Sequence, residues 1–248
     1  AARYDHRHVK TTRQEWFGCA CCPPNIARLL ASINQYMYST SDREIFVHLF
    51  TDSEAAFKFG EQEFKLIQNT NYPWDESIQF IISTPVPQDF ALNIRIPQWC
   101  AAPEITVDGK VLEQLEISNG YVKIERIWTD HDVVTVTFPM PVEKVWANPL
   151  VASTAGKIAL QRGPVVYCLE EIDNGPNLAA VFISGTAEFT VEEEPTLRLP
   201  ILVGQGQRRL IEENLYTTTQ PVTKSVEIKA VPYFAWDNRQ PGEMRVWI

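Results

Sequence analysis

The sequence has 248 residues, of which 45% are hydrophobic and 21% charged, and its formal net charge is −9. That balance suits a globular chain with apolar material for one large domain or two of ordinary size. An acidic chain with no basic run has no electrostatic reason to bind nucleic acid or anionic lipid, and no stretch reaches the roughly 20 apolar residues of a membrane span.

The chain opens Ala1-Ala2-Arg3-Tyr4-Asp5-His6-Arg7-His8. This stretch has no apolar centre and does not read as a signal peptide. It also lacks an initiator methionine, so the expectation is an internal piece of a longer protein. A helix is expected from Pro23-Pro24 to Met37, because Ile26, Leu29, Leu30, Ile33 and Met37 recur at helical spacing and form one apolar stripe. Proline suits the first turn, where its missing N–H would have had no partner. Ser39 to Asp42 is expected to break the pattern.

From there the chain reads as β-structure. Strands are expected over 44–50, 77–83, 90–96, 104–107, 121–124 and 133–138. Leu92, Ile94 and Ile96 alternate with Asn93 and Arg95, while Asp108-Gly109 and Asn119-Gly120 are tight-turn signals. Pro139-Met140-Pro141 closes this first region. A second set of strands is expected over 157–160, 165–169, 179–183, 197–203 and 226–230. Short strands punctuated this often suggest β-sandwiches. Glu192-Glu193-Glu194 reads as a solvated loop. Trp74, Trp99, Trp128, Trp146 and Trp236 could stack on sugar rings, but tryptophans in a sandwich are more often core or interface residues.

Five cysteines are present, and three of them, Cys19, Cys21 and Cys22, fall within four positions. An odd count with an adjacent pair argues against a disulfide framework and for a reducing, cytoplasmic setting with metal or catalytic use. Cys21 and Cys22 sit just ahead of the helix, where free N–H groups and the positive dipole end favour a thiolate, the form that zinc binds. Cys19 could add a third ligand. The bland alternative is that all three pack a helix start as small buried residues. Cys100 and Cys168 read as core residues. His6 and His8 match no zinc spacing, and His48 and His131 receive no role.

The stretch Trp16-Phe17-Gly18-Cys19-Ala20-Cys21-Cys22-Pro23-Pro24-Asn25-Ile26-Ala27-Arg28 resembles the signature of glycoside hydrolase family 127, best known for β-L-arabinofuranosidase. Asn71-Tyr72-Pro73-Trp74-Asp75, Leu160-Gln161-Arg162-Gly163-Pro164-Val165-Val166-Tyr167 and the tail from Pro232 to Ile248 resemble the same family in the same order. The resemblance implies a mostly β fold, with two β-sandwich domains preceded by the last helical segment of an (α/α)6 barrel that is otherwise missing. Residues 1–39 would be that segment, 40–141 the first sandwich and 142–248 the second. It also implies a retaining glycoside hydrolase with a zinc held by a glutamate and three cysteines. Cys21 would be both nucleophile and zinc ligand, Cys22 a second ligand, and Cys19 a neighbour of the site. The remaining ligands and the acid/base glutamate would lie outside this chain, and Glu15 is not assigned that role. The fragment alone is expected to bind zinc weakly and to be inactive. Expected partners are a carbohydrate substrate, the missing N-terminal barrel and, as a further reading, a second copy of the chain. Neither nucleic acid nor membrane is expected. The competing reading is a non-catalytic carbohydrate-binding, structural or dimerisation module.

Overall fold

The computed structural model describes residues 12–15, 20–211 and 213–248. His6, His8 and Cys19 lie outside these residues. The chain divides into two compact units at Met140–Pro141, and residues 12–15 group with the second.

The first unit begins with helix α1 (Cys22–Ser32), continued by one 3-10 turn (Ile33–Tyr36). The helical expectation is thus met in place, with a tighter final turn before Met37. Two sheets follow. The five-stranded sheet contains β1 (Tyr38–Ser41), β2 (Glu44–Val47), β6 (Gln88–Arg95), β10 (Tyr121–Trp128) and β9 (Ile117–Ser118), in that order. The six-stranded sheet contains β3 (Ser53–Phe59), β4 (Gln62–Thr70), β5 (Ser77–Ser83), β11 (Val133–Thr137), β7 (Glu104–Val107) and β8 (Lys110–Val111). Among the described residues, only the pairing of β2 with β6 is parallel.

Alternation explains the packing. Ile45 and Val47, Leu92 and Ile94, and Val122 and Ile124 point inward from one sheet. They meet Phe64, Leu66, Ile78, Phe80, Ile82, Val134 and Val136 from the other in a single core cluster. Trp128 is fully buried, and its indole N–H donates to Phe90 O at 2.9 Å, which satisfies the one polar atom on that ring. The turn signals are realised. Asp108-Gly109 and Asn119-Gly120 all have positive φ and join β7 to β8 and β9 to β10, the backbone that twisted two-residue hairpins require.

The helical pattern has ended by residue 39 as expected, and residues 39–41 form most of β1, which pairs with β2 around a turn at Asp42, whose φ is 42°. Polar Ser and Thr are tolerated because this is an edge strand with an exposed outer side. The sequence reading also passed over β3 and β4.

The second unit carries β12 (Val142–Trp146), β13 (Ile158–Arg162), β14 (Val165–Glu170), β15 (Val181–Phe182), β16 (Phe189–Glu194), β17 (Leu199–Arg209), β18 (Thr223–Pro232) and β19 (Met244–Arg245), with a one-turn helix α2 (Glu171–Asn174). All eight strands join one antiparallel network, in which β16 and β19 branch from β17 and β14. Leu160, Cys168, Leu169, Leu202, Ile228, Ala230 and Val231 are buried along it. Glu192-Glu193-Glu194, read as a loop, is instead the end of β16 and pairs with 199–201. A side chain at Gly204 would come within 2.6 Å of Glu188 O and the Phe189 ring, so a glycine lets β16 lie close against β17.

The tail is fastened to this unit by charge. Arg239 pairs with Glu170 at 2.6 Å and with Asp173, all three well buried. Asp237 N–H donates to the other oxygen of Glu170 at 2.9 Å. Upstream, the Arg13 guanidinium donates to the carbonyls of Phe234 and Trp236, each at 3.0 Å. The Gly163 turn between β13 and β14, with φ 53°, and the Arg239 cluster give two of the motif-like stretches a scaffolding purpose. Among the described residues, no helix is long and apolar enough to cross a membrane.

Candidate active site

The thiols that the sequence singles out stand at the head of α1. Cys21 is the N-cap and Cys22 the first helical residue. Both are exposed, and their sulfurs are 3.5 Å apart. Pro23 and Pro24 follow at once. Two of the four N–H groups that a helix start normally leaves open are therefore absent, and Cys21 and Cys22 carry the other two. No acidic residue occupies the first turn, so no carboxylate competes there with an ionised sulfur.

The helix behind the thiols is unusual in another respect. None of its residues is buried, and Ile26, Leu29 and Leu30 keep 51–64% of their surface exposed. The apolar stripe read from the sequence exists, but its face has no cover among the described residues. Beside it runs an open cavity of about 570 Å³ lined in part by Ile26, Leu29 and Tyr36.

The other two described cysteines behave differently. Cys100 and Cys168 are buried, as expected of core residues. Burial, and then the nearby Glu170 carboxylate, push the Cys168 thiol up to about 12, which leaves it protonated and inert near neutral pH.

A tetrahedral zinc with Zn–S bonds of about 2.3 Å holds two sulfurs roughly 3.8 Å apart. The observed separation of Cys21 and Cys22 fits two such ligands on one ion with a few tenths of an ångström of adjustment. Among the described residues, no group of three His, Cys, Asp or Glu side chains is placed to hold a metal. The pair by itself could fill two positions of such a site.

Two polar clusters escaped the sequence reading. His48, given no role, shares hydrogen bonds with Ser39 Oγ at 2.8 Å and Tyr121 OH at 2.7 Å. Burial and the Arg95 charge lower its pKa. The second is the Glu170–Asp173–Arg239 group. Neither was foreseeable from spacing, since the residues that meet at Tyr121 and Arg239 lie 66 to 73 positions apart and come together only once strands are paired. Among the tryptophans, Trp128 is core, whereas Trp146 is exposed.

With this geometry in hand, comparison with known proteins defines the class as glycoside hydrolases. Residues 44–140 match the family model described as "Beta-L-arabinofuranosidase, GH127 middle domain", and residues 142–248 match "Glycoside hydrolase family 127 C-terminal domain". The chain belongs to glycoside hydrolase family 127 and corresponds to its middle and C-terminal domains. It is 33% identical to a non-reducing end β-L-arabinofuranosidase of Bifidobacterium longum subsp. longum, over 98% of this chain and 39% of that protein. The crystal structure of a GH127 β-L-arabinofuranosidase from Geobacillus stearothermophilus T6 superposes with a TM-score of 0.93 at 44% identity, over 99% of this chain and 40% of that one. The GH127 β-arabinofuranosidase BT3674 gives 0.87 at 32% identity, over 96% of this chain and 39% of that one. The chain thus spans about two fifths of the length of these relatives.

Proposed function

We propose that this chain is the middle and C-terminal part of a retaining glycoside hydrolase acting on a β-linked L-arabinofuranoside, with Cys21 as nucleophile and Cys21 and Cys22 as two of four zinc ligands. The observation that carries the reading is the pair of exposed sulfurs, 3.5 Å apart at a helix start, in a chain 33–44% identical to two β-L-arabinofuranosidases. Helix α1 is then the end of a helical barrel. The partner for the bare apolar face of α1 is the N-terminal portion that the longer relatives possess.

The chemistry follows from the thiol. Ionised Cys21 attacks the anomeric carbon, and a C–S bond forms as the glycosidic C–O bond breaks. The departing oxygen takes a proton from a carboxylic acid outside this chain. Water then attacks the same carbon, the C–S bond breaks, and the carboxylate accepts the water's proton. Two displacements give net retention. Zinc, when bound, supplies the positive charge that holds a coordinating thiol in its ionised form near neutral pH. Cys22 would orient its neighbour as a second ligand to that ion. The two prolines make the start of α1 a stiff platform, because their φ values are set by the ring.

The test is Cys21→Ser in the longer protein, assayed on an aryl β-L-arabinofuranoside. Turnover should fall by at least about a thousandfold, as for removal of other covalent nucleophiles, with circular dichroism unchanged. Near-normal turnover in that variant would rule out Cys21 as nucleophile.

A further inference from the structure

The outer face of the five-stranded sheet carries a furrow that the thiol chemistry does not use. Its origin lies in the pairing register. On the central strand β6, Ala91 faces Glu44 of β2 and Glu125 of β10, and Asn93 faces Phe46 and Lys123. The middle strand thus presents short side chains while its neighbours present long ones, so the face is hollow along β6. Two cavities follow the hollow, of about 560 and about 510 Å³, and both are lined by Glu44 and Glu125. The two share those carboxylates, and the Lys123–Glu44 ion pair reaches across β6 where they meet.

The chemistry of the lining is specific. At one end the rings of Phe46 and Tyr121 stand at 84° with centroids 5.7 Å apart, and the hydrogen bond to His48 holds Tyr121 in place. This corner offers apolar ring surface beside a polar tip. The floor is Asn93, whose side chain is buried and donates only a long 3.4 Å bond to Ile45 O. Among the described residues no group donates to its Oδ1. Lys123 bridges Glu44 at 2.7 Å and Glu125 at 3.2 Å. These carboxylates are thereby held in place with acceptor positions left over. The excess of carboxylates disfavours an anionic ligand. Rings for C–H faces, and an amide and fixed carboxylates for hydroxyl groups, together match a neutral polyhydroxylated ligand. We propose that this furrow binds a neutral glycan.

The test is a titration of the 248-residue chain, followed by amide NMR, with neutral arabinan, xylan and glucan oligosaccharides at low-millimolar concentration. At least one should give saturable shifts confined to 44–48, 91–95 and 118–125, unaffected by added salt. Tyr121→Ala should weaken that binding about tenfold, a change of about 1.4 kcal/mol, while Tyr121→Phe keeps the ring and should stay within about twofold. If Tyr121→Ala misfolds, Phe46→Ala serves in its place, and the shift map of the unaltered chain decides by itself. Absence of shifts with all three sugars, shifts mapping elsewhere, or equal affinity in the ring-deleted variant would each overturn the proposal. So would an oligolysine peptide that shifts these residues in a salt-sensitive manner while the sugars do not.

Discussion

Helix α1 and the core of the first unit are both written in apolar periodicity, yet they end in opposite states. Ile45, Leu66, Phe80, Leu92 and Ile94 alternate along strands and lose all contact with solvent. Ile26, Leu29 and Leu30 repeat at helical spacing and remain largely exposed. A strand's apolar face is satisfied by a second sheet built from the same stretch of chain, whereas a lone helix stripe needs a surface that some other element supplies. The exposed thiols stand on the unsatisfied element. The difference teaches that the first unit's sheets are complete in their own packing, while the thiol pair sits where packing is incomplete.

The sharpest way to break this contrast is thiol labelling of the chain with a neutral disulfide reagent near pH 7.5. Cys21 and Cys22 should react at the rate of open thiols. Cys168 should be slower by at least about a thousandfold, since it must await local or global opening. Comparable rates would place all of these sulfurs in one class and dissolve the comparison. The raised Cys168 thiol also sets a direction with pH. Folded, it ionises only at about 12, against an ordinary 9.0. The unfolded chain therefore loses this proton first. The stabilisation is fully present below about pH 9 and is lost as pH rises toward 12.

Stability measurements sharpen the comparison further. Phe80→Ala removes a fully buried ring from the core shared by both sheets, and should cost about 3–5 kcal/mol in urea unfolding of the first unit. Leu30→Ser on the helix face should change the same transition by no more than about 0.5 kcal/mol, because that side chain is already in water. In the longer protein the second substitution should become costly, at about 2–5 kcal/mol, if a partner buries that face.

Much of this arrangement was legible in the sequence, and what was not has physical causes. The strands at 77–83 and 104–107 and the hairpin turns at Asp108-Gly109 and Asn119-Gly120 were plain, because alternation and turn chemistry are local. Strand β4 was missed because its inward positions run Phe64, Leu66, Gln68, and a polar residue on the buried face interrupts the apolar period. Gln68 is accommodated by a hydrogen bond to Thr51 O at 2.6 Å. The acidic end of β16 looked like a loop because an edge strand can leave carboxylates in solvent while its backbone pairs. At the site, Cys21 and Cys22 stood out through their spacing before a helix and their resemblance to a family signature. The furrow floored by Asn93 could not be seen, since it depends on which residues three separate strands bring side by side.

Metal stoichiometry of the longer protein, purified without chelators, bears most directly on the assignment of the thiol pair. One zinc per chain should be found in the unaltered protein, with most of it lost in Cys22→Ser although the fold persists. Undiminished zinc after Cys21 and Cys22 are both replaced, or a fully active protein that carries no metal, would contradict the account.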